Sequence, residues 1–476
     1  MGYNDLRSWL EEVDKIGELK TITGAHWDRE LGAISEFMAE RNGPALLFDK
    51  IPGYPDGYRV LSNPFLSLNR TGTVLGVPGS LPNVEMVDAW RKRLKKINPI
   101  PPVEVKTGPV KQNILTGQDV DLYKFPTPIW HDFDVGRFLG TGCAIVSRDP
   151  DEGWVNLGCY RCQIFEKNLI SVGLNPGKHG TMMMEKYHSQ GKSFPLAIVC
   201  GMDPVLFLAA STPLTGKGEC EYDFAGWIKG EPIEVTRGEL TDLPIPAAAE
   251  IVLEGEIPPP PLMERREDGP FGEWRRTYNS SMHPIVKVNS ILHRDNPIIL
   301  GVVPQTMHLP HYFSIPVMAA EIWNVLDYVG IPDVKGVWFG LGMVWPVFLV
   351  ISIKQSYTGH AKQAAVAAAS CRANNLGGMF VIVVDDDIDI TNEKDVIWAI
   401  ATRANPDNIQ IIHGILTKAG LGGPKVTTDS KGKPLMVNDR IIIDACWPYE
   451  QRDKFPRFHR FSSKYQEEIM EKWKSI

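Results

Sequence analysis

The sequence predicts a multi-domain α/β chain in which a central β-rich part separates two regions where helices and strands alternate. Three observations lead there. At 476 residues the chain is too long for one hydrophobic core. Near residue 108 its texture changes from alternating helical and strand patterns to short apolar runs punctuated by Gly, Pro and Asp. Near residue 311 the alternation returns. The expected boundaries are 1–107 for a small N-terminal α/β domain, 108–310 for a barrel-like sheet domain, 311–460 for a C-terminal α/β domain and 461–476 for a terminal helix.

The opening stretch "MGYNDLRSWLEEVDKIGELK" places Leu6, Leu10, Val13 and Ile16 on one face of an acidic amphipathic helix. It has no apolar segment of signal-peptide type, and Leu6 stands where a myristoylation motif needs Ser or Thr. "ALLFDKI" and "YRVLSNP" read as strands, and a helix follows near 83–96. Its basic end, "RKRLKK", reads as a solvated helix terminus rather than a phosphate clamp. "INPIPPVEV" closes the region as an extended, proline-rich linker. Strands are then expected at "GTGCAIVSRD", "WVNLGCYRCQIF", "LISVGLNP", "PLAIVCGMD", "AEIVLEGEI" and "PIVKVNSILH", with a helix inserted at "GTMMMEKYHSQG". "IPPPPLMERRE" forms a polyproline spacer.

Beyond 311, a helix is expected at about 316–329. "GVWFGLGMVWPVFLVISI", 336–353, is long enough to span a bilayer. Gly336, Gly340, Gly342 and Pro346 instead divide it into two short buried strands. An alanine-rich helix, the strand "MFVIVVDDDID", the helix "EKDVIWAIATR" and a serine-capped terminal helix complete the chain.

Composition removes several functions. A formal charge of −7 argues against sequence-independent nucleic-acid binding, which needs a basic surface. Seven scattered cysteines suit a reduced, cytosolic protein rather than a disulfide framework. Cys159 and Cys162 have no second pair to complete a zinc site. No Walker loop, dinucleotide-binding glycine motif or Gly-x-Ser-x-Gly occurs. "DDDID", 385–389, reads as acids capping a helix N-terminus rather than as a metal cluster. His308 and His311 lie on a proline-broken segment, which gives a shared metal no fixed geometry.

What remains is a set of polar residues in apolar surroundings. Asn156 and Arg161 fall within "WVNLGCYRC". A buried Arg needs a carboxylate or phosphate partner. Strand parity puts the two on opposite faces, so serving one site would require a bulge or break at Gly158. His179 and Glu221 follow in "NPGKHGTMMM" and "KGECEYDFAGW", and Asn, His and Glu together suit a hard or borderline divalent ion. "EDGPFGEW" sets Glu267 and Asp268 before a stiff Gly-Pro-Phe-Gly connection and Glu273 after it.

In this order, "NLGCYR", a His eighteen residues beyond the Arg, "ECEYDFAGWIKGEP", "PAAAEIVLEGEI", "GPFGEW", "SYTGHAKQAAVAA" and "VDDDIDITNEKDVIWAIATRANP" resemble the UbiD family of reversible decarboxylases. The resemblance spans nearly the whole chain. It implies a split β-barrel domain binding prenylated FMN, a C-terminal oligomerisation domain, and assembly as a homodimer or homohexamer. It further implies a divalent metal (Mn²⁺ or Mg²⁺), K⁺, a flavin prenyltransferase that supplies the cofactor, and a hydroxybenzoate-like aromatic acid and CO₂ as reactants. Nucleic acid and membrane are not among the implied partners. By position, Asn156, His179 and Glu221 match the metal and flavin-phosphate ligands, Lys178 a flavin contact, Arg161 the active-site arginine and Glu273 the proton donor. Asp268 stands where many members carry glutamate, so its contact with Arg161 is expected to be longer or shifted. Glu267 ranks behind it. The alternative is a cofactor-free, UbiD-like structural subunit of a carboxylase complex, and a third reading is an unrelated metal hydrolase built on His308 and His311.

Overall fold

The structure, a computed structural model, describes residues 2–139, 142–175, 177–212, 215–273, 276–278, 280–302, 314–340, 347–416, 437–455, 459 and 461–474. The chain divides into two compact units, one running to Glu321 and the other from Ile322 onward.

In the first unit the helix Leu6–Lys15 starts from an Asp5 cap that accepts from Ser8 N. It buries Leu6, Trp9, Leu10 and Val13, whereas Ile16, expected on that face, caps the helix and is half exposed. Ile16 is where helical periodicity ends, and Trp9 does the packing instead. Strands Leu19–Thr23, Ala45–Asp49 and Arg59–Ser62 form a sheet whose fourth member is Ile298–Gly301, parallel to Arg59–Ser62. The end of the central region is thus built into the N-terminal sheet.

Ten strands form the central sheet, in the order Arg137–Phe138, Gln163–Glu166, Leu169–Ser171, Ser281–His293, Ile251–Ile257, Phe194–Cys200, Cys143–Arg148, Val155–Cys159. Arg265–Asp268 and Asn113–Thr116 pair with the long strand Ser281–His293 off that path. Every pairing is antiparallel, and the path stays open at both ends, which makes a curled half-barrel. A register shift between Glu254 and Gly255 bends the middle; a Cβ on Gly255 would lie 2.4 Å from Lys287 O. Helices Pro204–Ser211 and Glu221–Lys229 fill the interior with Val205, Leu206, Phe207, Leu208, Tyr222 and Ile228.

Three expectations are corrected here. The 97–105 segment is no free linker: Val103–Glu104 pairs with Glu234–Arg237, and Ile100 N donates to Asp223 O at 3.1 Å. Extended, proline-rich backbone still offers amides to any strand edge it passes. The basic run is solvated at Lys92, Lys95 and Lys96, as expected, but not at Arg93, which packs against Trp90 and Trp227 and donates to Leu75 O and Ile228 O at 2.5 and 2.6 Å. Its long stem lets a charged head reach buried carbonyls. The proline spacer after Ile257 ends early, because Arg265–Asp268 is a strand.

In the second unit the sheet runs Val334–Gly340, Phe348–Ile353, Phe380–Asp385, Val437–Ala445, Gln410–Leu416. The two strands read from 336–353 are present and antiparallel. Helices Ser314–Tyr328, His360–Ser370, Glu393–Arg403 and Ser463–Lys472 follow the predicted order, the last capped by Ser462. "DDDID" does not cap a helix. Asn392 caps Glu393–Arg403, while Asp385 and Asp387 bind the buried Arg403 from that helix's far end at 2.8–3.1 Å. A carboxylate pair next to an arginine fork gains more than one facing amide dipoles. Among the described residues no helix is long and apolar enough to cross a membrane.

Candidate active site

Two neighbouring clusters gather most of the predicted residues. Asn156 lies on the strand Val155–Cys159, opposite Ser147. His179 and Glu221 are each the first residue of a helix, His179–Ser189 and Glu221–Lys229. Asn156 Oδ1 sits 3.0 Å from His179 Nδ1. An amide oxygen only accepts, so Nδ1 carries the proton in this arrangement. The next residue on the strand, Leu157, donates its N–H to Glu221 Oε2 at 2.8 Å, and Thr215 donates to Oε1 at 2.6 Å. The asparagine, histidine and glutamate therefore share one neighbourhood.

Burial raises the Glu221 carboxyl to about 7, against the two hydrogen bonds that favour its charged form. A carboxylate so placed is short of positive charge, which a divalent cation would provide, and the donor set of amide oxygen, imidazole and carboxylate suits Mn²⁺ or Mg²⁺. Lys178, one residue before His179, is lowered by burial, and no carboxylate pairs with it among the described residues. A half-buried ammonium of this kind fits a phosphate. The residues present fit both groups.

The second cluster is built around Arg161. The strand carrying Asn156 ends at Cys159, and Arg161 occupies the turn before Gln163–Glu166. The break allowing both residues to serve one region is at Tyr160–Cys162, not at Gly158, which stays in regular register with Ile145. Val155–Cys159 and Gln163–Glu166 lie toward opposite ends of the sheet path, so the chain leaves the ladder after Cys159 and three residues carry it across. Arg161 Nε donates to Asp268 Oδ1 at 3.0 Å, and Nη2 lies 2.9 Å from the same oxygen in an ion pair. The carboxylate is fully buried, the guanidinium side chain 18% exposed. Phe138 and Phe271 flank the guanidinium, their ring centroids 5.7 and 5.1 Å from Cζ. The shorter aspartate thus makes a close pair, contrary to the longer contact expected, because Ser171 Oγ donates to its other oxygen at 2.5 Å and holds it in place. Glu267 turns away and bonds Ser280 Oγ.

Glu273 is described by its backbone, at the end of the strand Phe271–Glu273, paired with Arg276. Its side chain, "WR" at 274–275, and His308 and His311 lie outside what is described. Gly269 adopts φ +95°, the left-handed region open to glycine, which turns the chain between Asp268 and Phe271. Sequence reasoning missed Ser171, Thr215, Gln163 and Tyr160. Ser171 carried one signal, a lone hydroxyl in an apolar strand. Tyr160 packs against the glycines at 158 and 180, and burial raises its phenol to about 12.

The pairing leads to a first prediction. Asp268→Asn keeps the shape but removes the counter-charge of Arg161, leaving a guanidinium bonded to a neutral amide, a loss of about 1.5–3 kcal/mol. The kcat/KM should fall on the order of 10- to 100-fold. Steady-state kinetics check this, and unchanged kcat/KM would remove Asp268 from the orienting role.

The chain as a whole, half-barrel included, is similar to known proteins. The chain matches the family models described as the N-terminal domain, the Rift-related domain and the C-terminal domain of 3-octaprenyl-4-hydroxybenzoate carboxy-lyase, over residues 10–90, 102–307 and 311–445. It is 31% identical over 473 residues to a phenolic acid decarboxylase of Bacillus subtilis (strain 168), covering 94% of this chain and 93% of that one. A phenolic acid decarboxylase of Streptomyces sp. (strain D7) is 29% identical with the same coverage. The vanillic acid decarboxylase of Sedimentibacter hydroxybenzoicus in open form matches with TM-score 0.83 at 26% identity, covering all of both chains. The UbiD-class enzyme HmfF from Pelotomaculum thermopropionicum, solved in complex with FMN, matches with TM-score 0.82 at 26% identity, covering 98% of this chain and 100% of that one. The fold and matches define a carboxy-lyase. The chain belongs to the UbiD family.

Proposed function

We propose that this protein catalyses reversible, non-oxidative decarboxylation of an aromatic (or α,β-unsaturated) carboxylic acid, using prenylated FMN. The observation that carries the reading is the Arg161–Asp268 pair, set one glycine-rich turn before Glu273. Relatives that act on phenolic acids and one solved with FMN support the substrate class and the cofactor.

In this reading Asn156, His179 and Glu221 would hold Mn²⁺ or Mg²⁺, whose charge would offset that of the flavin phosphate, and Lys178 would add a further positive charge. When bound, the prenylated flavin supplies the electron sink for the carbanion-like centre left by CO₂. Arg161, aimed by Asp268, orients the substrate carboxylate through its planar fork. As the bond from ring carbon to carboxylate breaks and CO₂ departs, the Glu273 carboxyl delivers its proton to that carbon. In carboxylation it takes the proton back.

The test is purification from cells co-expressing a flavin prenyltransferase. A bound-flavin absorbance, a divalent metal and K⁺ by elemental analysis, and CO₂ release from a panel of hydroxybenzoic acids are expected. Protein lacking both flavin and metal would favour the cofactor-free subunit. Self-association as a dimer or hexamer belongs to the same proposal. Tyr465, Ile469, Met470 and Trp473 stand exposed on and just beyond the helix Ser463–Lys472. Light scattering should give a multiple of the chain mass, and a monomer would contradict it.

A further inference from the structure

The connection from Asp268 to Glu273 is gripped from beneath by a segment to which nothing above gives a role. Its amides are taken by two buried acceptors. Gly269 N donates to Gln163 Oε1 at 2.9 Å, and Gly272 N donates to Asp134 Oδ1 at 2.7 Å. Between them, Val135 N donates to Pro270 O at 3.4 Å. The Asp134 side chain is fully buried. Its second oxygen accepts from His131 N at 2.9 Å and meets His131 Nδ1 at 3.1 Å, so the carboxylate bridges a tight turn to the Phe271–Gly272 peptide, one peptide before that of Glu273.

The fit is close on the other side too. The His131 ring lies edge-on to Phe271, centroids 5.8 Å apart. A Cβ at position 272 would come within 2.9 Å of His131 Cγ and Nδ1, so the glycine lets the ring close on the strand. Four residues on, Phe138 touches Phe271 at 4.5 Å between centroids and flanks Arg161. One segment, 131–138, therefore contacts both the arginine and the Phe271–Gly272 peptide. Buried polar groups need their partners, so a carboxylate making these bonds has little freedom to move alone.

We infer that Asp134, locked by His131, is a positioning residue for Glu273: it fixes the Gly272 peptide and thereby the point from which the Glu273 carboxyl reaches the reacting carbon. The inference rests on Glu273 as the proton-transfer residue. A displacement of about 1 Å at a reacting group can lower turnover about 100-fold.

Asp134→Ala, Asp134→Asn and His131→Phe are compared with Glu273→Gln in protein loaded with flavin in the co-expressing cells, using the panel acid that releases CO₂ fastest. For Asp134→Ala, kcat should fall about 100-fold, with KM and flavin content within about twofold of the parent. Asp134→Asn, which keeps an oxygen for Gly272 N, should recover part of kcat. Hydrogen–deuterium exchange on flavin-free protein should speed up in the peptide spanning 268–273 and stay unchanged in Phe194–Cys200 and Ile251–Ile257. Should Asp134→Ala fail to fold, His131→Phe carries the test, with about a tenfold loss of kcat and the same local exchange. Faster exchange with parental kcat, or lost kcat without faster exchange, overturns the inference. If Glu273→Gln loses turnover and the Asp134 and His131 variants do not, the functional reading stands and this inference falls. If Glu273→Gln retains turnover, Glu273 is not the proton-transfer residue and the inference falls with that role, while absence of CO₂ release from the parent itself would sink the functional reading.

Discussion

Glu273→Gln is expected to keep the bound flavin and lose turnover by about 10²- to 10⁴-fold, the range that a positioned proton donor contributes. The substitution preserves size and polarity, and the backbone pairing of Phe271–Glu273 with Arg276–Tyr278 does not depend on the side chain. What disappears is a group that can give up a proton. The same variant should stop exchange of the aromatic proton with deuterated water, since that exchange uses the proton transfer without loss of CO₂. Flavin absorbance and CO₂ release measure the two halves separately. Parental turnover in Glu273→Gln would exclude this residue from the chemistry and return the loop to a structural role.

Glu221→Ala is the second large effect, and it should act on loading rather than on the chemical step. Glu221 is the one carboxylate in the cation-ready cluster, and its oxygens are already placed by Leu157 N and Thr215 Oγ1. Removing it leaves an amide oxygen and an imidazole, a set too poor in negative charge for a hard divalent ion. Metal affinity should fall at least about 100-fold, the upper end of what losing an outer-shell partner alone costs. The flavin should be lost with the metal. Glu221→Gln separates charge from packing, because its amide oxygen still accepts from Leu157 N. It should fold like the parent yet purify without flavin. Flavin retained at parental stoichiometry in either variant would show that Glu221 does not hold the metal.

Much of this was legible before any coordinates. Apolar residues repeat with the period of the element they form, so the first helix, the two strands within 336–353 and the alanine-rich helix could all be read from spacing. The family resemblance was carried by motifs in order along nearly the whole chain, from "NLGCYR" through "GPFGEW" to "VDDDIDITNEKDVIWAIATRANP". Where local reading failed, the missing information was a partner far away in sequence. Within "INPIPPVEV", Val103–Glu104 became a short strand because Glu234–Arg237 offered an edge. Asp385 and Asp387 turned from caps into the partners of Arg403 because the helix carrying that arginine folds back over them.

The site shows the same division. Sequence alone determined which residue types are present, in what order, and in which kinds of element, because those follow from local periodicity and turn chemistry. The resemblance already ranked Asp268 ahead of Glu267 as the partner of Arg161; only the tertiary structure decided how close that pair is and that Ser171 holds its other oxygen. It also decided that the chain breaks at Tyr160–Cys162, and that Ser171, Gln163 and Asp134 hold the acidic loop from three sides. These contacts join residues up to 138 positions apart. Their existence depends on the register and curvature of a ten-stranded sheet, and no short window of sequence encodes either.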